Sequence, residues 1–113
     1  MDKRIRILTK NLLDECEESL NSLHNAYING VMAAVAAYMS EAYACTKVLH
    51  FITAAYEDNS SDSVFEKIDE FVDNMRVFNR DLLEDMSNNH SLSHMLGEID
   101  SLKKLCQLAK EQL

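Results

Sequence analysis

The stretch from residue 28 to residue 39, Ile28-Asn29-Gly30-Val31-Met32-Ala33-Ala34-Val35-Ala36-Ala37-Tyr38-Met39, sets a turn-like Asn-Gly pair directly before a run with no charged side chain. Whether the chain reverses at Gly30 separates two folds. A glycine just past a helix end can take the left-handed backbone that terminates it, and an apolar residue after it, here Val31, completes that kind of cap. A glycine kept inside a helix costs about 1 kcal/mol relative to alanine. Two features favour continuity: no Ser, Thr or Asp stands before Val31 to cap a new helix, and the apolar stripe keeps its phase from Tyr27 to Val31, Ala34 and Tyr38. Charge favours reversal. Lys3, Arg4, Arg6 and Lys10 crowd a helix N-terminus, where the macrodipole disfavours cations. Reversal brings them to the same end as Glu57, Asp58, Asp62 and Glu66, whereas an unbroken helix leaves them on the order of 75 Å from Glu57. The reversed form is the expectation. The alternative fuses the first two helices into one long helix, which a chain this short covers only as an intertwined dimer.

Outside this joint the chain reads as helix almost throughout. Proline is absent and glycine occurs only at Gly30 and Gly97, so little interrupts a helix and the punctuation of a sheet protein is missing. At 113 residues, with 47% hydrophobic and 27% charged side chains, the composition is that of one folded domain spanning residues 1–113. Apolar residues recur at steps of three and four as Ile5, Leu8, Leu12, Cys16, Leu20, Leu23 and Tyr27, one stripe of an amphipathic helix. A second helix runs from Val31 to about Glu57 and ends at the loop-like EDNSSDS. Ser63 begins a third, since Ser63 and Glu66 fit a capping box; its stripe is Val64, Ile68, Phe71, Val72, Met75, Phe78, Leu82 and Met86. Asn88-Asn89 closes it, and a fourth helix from near Ser91 carries Leu92, Met95, Leu96, Ile99, Leu102, Cys106 and Ala109. Helices over about 3–28, 31–57, 63–87 and 91–112, joined by short loops, predict an all-α, antiparallel up-down-up-down four-helix bundle.

Charge and cysteine usage bound the function. A net charge of −8 opposes binding to nucleic acid or to an anionic membrane, both of which select clustered Lys and Arg. The longest uncharged run, Ala26 to Ser40, contains Asn29 and Gly30 and falls short of the roughly 20 apolar residues that span a bilayer. The basic N-terminus lacks the continuous apolar segment of a secretory signal. Cys16, Cys45 and Cys106 cannot all pair within the chain and have no zinc-ligand spacing, which points to reduced thiols and a cytoplasmic location.

Chemistry-bearing patterns are few. His90, His94 and Glu98 fall four apart and would share one helical face, but His90 precedes the helix, so surface histidines are the expectation and no metal is assigned. A di-iron bundle needs Glu-x-x-His motifs, and none occurs. The clusters Asp14-Glu15-Glu17-Glu18, Glu66-Asp69-Glu70-Asp73 and Asp81-Glu84-Asp85 fall on polar faces. Around His50, LHFITAAY resembles the signature of histidine phosphotransfer domains, a histidine followed at the second, third and fourth positions by an aliphatic residue, lysine and glycine. Ile52 matches, while Thr53 and Ala54 stand in place of the lysine and glycine. That resemblance implies a bundle that carries a phosphoryl group on His50, and it is the alternative function. No phosphate loop or nucleophile motif is present, so neither enzymatic activity nor a cofactor is expected.

The second helix has no polar side. On a helical wheel Val31, Tyr38, Ala42, Cys45, Leu49, Ile52 and Tyr56 form the expected core face. Opposite them lie Ala33, Ala36, Ser40, Tyr43, Ala44, Lys47, Phe51 and Ala54, flanked by Met32, Met39 and His50. An apolar strip of this kind marks a protein interface, with alanines permitting close approach and the aromatics anchoring it. The functional expectation is a non-enzymatic binding bundle of the adaptor, secretion-chaperone, inhibitor or immunity-protein kind, whose partner is a protein or a second copy in a homodimer.

Overall fold

The computed structural model describes residues 3–56, 63–85 and 92–113. They form four helices, α1 (Lys3–Asn29), α2 (Met32–Tyr56), α3 (Ser63–Asp85) and α4 (Leu92–Glu111), within a residue or two of the expected limits. Glu57, Asp58, Asp62, Met86, Asn88, Asn89, His90 and Ser91 lie outside the described residues, as do the side chains of Tyr56 and Ser63. The expected loop acids, the second capping pair and the capping-box hydroxyl fall there too.

The chain reverses at Gly30. Its φ is 70°, the left-handed region that a side chain enters only at a cost. The Val31 N–H donates to the Ala26 carbonyl at 3.0 Å and the Gly30 N–H to the Tyr27 carbonyl at 3.3 Å, the paired bonds that satisfy the last carbonyls of a helix. The Val31 carbonyl then accepts from Ala34 and Val35, each at 3.1 Å, so α2 starts on backbone alone and needs no capping side chain. The fused-helix alternative is thereby overturned. Reversal lays α2 back along α1; α1 packs on α2 and α4, and α3 packs on the same two, giving an antiparallel four-helix bundle. Its extents are 43 × 20 × 19 Å, one helix long and two helices across, as a helix of 27 residues at 1.5 Å per residue requires.

The core is built from Leu13, Cys16, Leu20 and Leu23 of α1, Val35, Met39, Ala42 and Leu49 of α2, Ile68, Phe71, Met75 and Phe78 of α3, and Met95, Ile99, Leu102 and Cys106 of α4. The α3 stripe is buried from Val64 to Leu82, and the α4 stripe is buried or half-buried except for Leu92. Two stripes differ from expectation. In α1 the N-terminal part turns inwards one residue later: Thr9 and Leu13 are buried, Ile5 and Leu12 half-buried and Leu8 exposed. In α2 the buried row is Val35, Met39, Ala42, Thr46, Leu49 and Thr53. Of the expected core face Ala42 and Leu49 hold; Tyr38, Cys45 and Ile52 are half-buried and Val31 is exposed. The core face is thus rotated about 60° from the expected one at 100° per residue. The cause is the same in both helices. Threonines that count as polar in a pattern return their hydroxyls to their own helix: Thr9 to the Ile5 carbonyl at 2.7 Å, Thr46 to Tyr43 at 2.6 Å and Thr53 to His50 at 2.9 Å. Satisfied in this way, they are buried without the penalty of an orphaned hydroxyl.

Small residues bring neighbouring helices close. Cys16 Sγ donates to the Ala42 carbonyl at 3.8 Å and Cys106 Sγ to the Leu13 carbonyl at 3.1 Å, side chain to the backbone of the next helix. A polar clasp closes the α1–α4 seam. Lys110 Nζ lies 2.9 Å from Asp14 Oδ1 and bonds the Glu17 carboxylate, which also accepts from Gln107 Nε2 at 3.4 Å. The bond from Lys110 holds the Glu17 carboxyl below its ordinary value, and the two carboxylates push the Lys110 ammonium above the usual lysine range.

Two substitutions to alanine have opposite expected signs. Neither Gly30 nor Gly97 has an atom within 4 Å of an added Cβ, so only the backbone decides. Gly30→Ala is expected to destabilise the fold by about 1 kcal/mol, through left-handed strain. Gly97→Ala, inside α4, stabilises it by about 0.5–1 kcal/mol. Urea unfolding at neutral pH reads both.

The clasp gives a pH dependence. A carboxyl with a depressed folded pKa contributes stability that is present above its unfolded value and lost as pH falls through the folded one. Lys110→Met is therefore expected to lower stability by about 1 kcal/mol at pH 7 and to flatten the loss of stability below the ordinary value of 4.5 for Glu17. Unfolding of both proteins at pH 7, 5 and 3 measures it; parallel curves would contradict the clasp.

Candidate functional site

The side of α2 turned away from the core follows from where the core row sits. Half a turn round the helix from Val35, Met39, Ala42, Thr46, Leu49 and Thr53 lies the row Ala33, Ala37, Ser40, Ala44, Val48, Phe51 and Ala55, and all seven are exposed. Phe51 is 75% exposed, the most of any large apolar side chain among the described residues. The polarity of Ser40 is turned inwards, because its hydroxyl donates to the Ala36 carbonyl at 3.0 Å. Of the eight residues expected on this face, Ala33, Ala36, Ser40, Ala44, Lys47, Phe51 and Ala54 are exposed and Tyr43 is half-buried. Met32 and His50 are exposed on the flanks, whereas Met39 belongs to the core. Sequence reasoning missed Ala37, Val48 and Ala55 on the outer row. Counting Thr46 and Thr53 as core turns the outer row by the same angle and brings these three to its centre.

Between Met32 and Tyr56 the only charged residues are Glu41 and Lys47. They flank the row on opposite sides. The Glu41 carboxylate accepts from Ser19 Oγ of α1 at 3.4 Å, which ties it to the α1 side. That flank is a groove of about 520 Å³ lined by Glu15, Glu18, Ser19, Ser22, Tyr38, Glu41, Ala44 and Cys45. The Lys47 ammonium stands 5.0 Å over the Tyr43 ring on the α3 side. There a hollow of about 200 Å³ is lined by Tyr43, Thr46, Lys47, His50, Phe51, Val72 and Arg76. The outward face is therefore apolar along its middle, acidic along one edge and basic along the other.

The other groups capable of chemistry lie apart from one another. Cys16 and Cys106 are buried, and Cys45 lines the acidic groove with its thiol 3.5 Å from Glu15 Oε2. Burial pushes the Cys106 thiol up to about 12 and the Cys16 thiol higher still; burial first, then Glu15, raises Cys45. All three thiols stay protonated at neutral pH, the unreactive form. His94 Nε2 lies 3.3 Å from Glu98 Oε1, and no group of three or more His, Cys, Asp or Glu among the described residues is arranged to hold a metal ion. His50 is exposed, with Lys47 and Arg76 beside it. Thr53, at the position of the phosphotransfer lysine, is buried with its hydroxyl on the His50 carbonyl.

No described helix is long and apolar enough to cross a membrane. The chain has no significant match among protein-family models, curated proteins or solved structures, so its class is defined by its architecture, an acidic four-helix bundle.

Proposed function

We propose that this bundle works by binding protein through the outward face of α2, without catalysing a reaction. One observation carries the reading: Phe51, on a row otherwise made of Ala33, Ala37, Ser40, Ala44, Val48 and Ala55, is 75% exposed. A large apolar side chain centred among small ones combines an anchor with backbone that a partner can approach closely. The rest of the surface favours this face further. The chain carries a net charge of −8, yet the charges of α2 cancel, so the face is spared the repulsion that the acidic faces of the other helices present to any like-charged partner. An adaptor, secretion chaperone, inhibitor or immunity protein each works through such a surface, and a cytoplasmic setting suits three free thiols. Phosphoryl carriage on His50 has less behind it, since Thr53 and Ala54 occupy the positions of the lysine and glycine that the phosphotransfer signature uses.

The expected result is a bundle whose associations depend on Phe51. Phe51→Asp places a charge on the face and leaves the core untouched; it is expected to keep the wild-type melting temperature and to weaken association at least about tenfold. Sedimentation velocity across a concentration series reads self-association. Wild-type and Phe51→Asp proteins that behave identically at every concentration and capture the same proteins would overturn the reading.

A further inference from the structure

The outward face of α2 is two-fold symmetric in its spacing, and Ala44 is the centre. About that residue Ala33 balances Ala55, Ala37 balances Phe51, Ser40 balances Val48, and Glu41 balances Lys47. The last pair is decisive, because these are the only charges of α2 and they have opposite signs. At 100° and 1.5 Å per residue, Glu41 and Lys47 lie about 60° to either side of Ala44 and about 4.5 Å below and above it. A two-fold axis passing through Ala44 at right angles to the helix exchanges both side and height. It therefore puts Lys47 of one copy at the same height and on the same flank as Glu41 of the partner subunit, twice over. It also sets Phe51 against Ala37 of the partner subunit, the largest exposed side chain of the row against one of the smallest. A parallel pair puts Lys47 level with a second Lys47 and matches none of these.

The flanks agree with the row. The acidic groove with Glu15, Glu18 and Glu41 lies on the α1 side, and the basic hollow with Lys47, His50 and Arg76 on the α3 side. A face-to-face two-fold brings the acidic edge of each copy against the basic edge of the other. We infer that the occupant of the α2 face is a second copy of this chain, packed antiparallel about a two-fold axis at Ala44, with Lys47 paired to Glu41 of the partner subunit. The inference rests on the α2 face being the binding surface and adds to it the partner and the register.

The test uses full-length chains with single charge reversals, both at exposed positions outside the core. Lys47→Glu alone faces two carboxylates across the axis, and Glu41→Lys alone faces two ammonium groups. Each is expected to weaken dimerisation at least about tenfold in sedimentation equilibrium at low salt while melting as the wild type does. Mixed in equal amounts, the two variants restore both opposite-charge pairs and are expected to form a mixed dimer within about threefold of wild-type affinity. Rescue between separate chains cannot arise from an effect inside one chain. Single reversals without effect, or a mixture that stays monomeric, would overturn the register. If Phe51→Asp still abolishes the dimer in that case, the α2 face stands as the binding surface with a different geometry. A wild-type chain that is monomeric at every concentration overturns the homodimer itself, whatever else the face binds.

Discussion

Gly30 holds a φ of 70°, and the Val31 and Gly30 amides close onto the Ala26 and Tyr27 carbonyls around it. Everything else in the molecule follows from that reversal. A residue with a Cβ pays about 1–2 kcal/mol to enter the left-handed region, so the position selects glycine on backbone grounds alone. Once α1 ends there, α2 runs back along it, close enough for Cys16 to reach the Ala42 carbonyl. α3 and α4 then complete the square, and Cys106 reaches the Leu13 carbonyl from the far side. Had the helix continued, the apolar run after Gly30 would have had no neighbour within its own chain.

The reversal also fixes what α2 presents to the outside. Its buried row is short of large side chains: Thr46 and Thr53 fill positions that leucine or isoleucine commonly fills, and their hydroxyls are satisfied locally. The apolar residues left over, Phe51 and Val48 among the alanines, face outwards. Leaving one phenylalanine in water forgoes about 1.5–3 kcal/mol of burial. That is a large sum for a fold whose total stability is on the order of 10 kcal/mol, and the proposed second copy recovers it. Opposite charges at Glu41 and Lys47 then set direction and register, as charges at the edge of an apolar seam do.

Helix number, limits and topology were legible because they depend on features that act locally: the absence of proline, the isolated Gly30, the polar stretch after Glu57 and the Asn-rich stretch before Ser91. The α3 stripe was equally legible, since Val64, Ile68, Phe71, Met75 and Phe78 are unambiguously apolar. The rotation of α2 was not. On a helix that is apolar all round, no contrast marks the inner side, and the deciding residues were two threonines whose burial depends on hydroxyl bonds to Tyr43 and His50 that no pattern records. For the same reason Leu8 and Leu12 outweighed Thr9 in the reading of α1. The candidate face was found in the main but centred to one side, on Ala36, Tyr43, Lys47 and Ala54, and Met39 was assigned to a flank rather than to the core.

The central claim is that α2 has two apolar faces, one covered by its own bundle and the other by a second copy. Hydroxyl-radical footprinting at low and high protein concentration measures both faces at once. Met39 is expected to be protected at both concentrations and Met32, 52% exposed, modified at both. Phe51 is expected to be modified in dilute protein and protected in concentrated protein. Met39 oxidised as readily as Met32, or Phe51 modified equally at every concentration, would contradict the account.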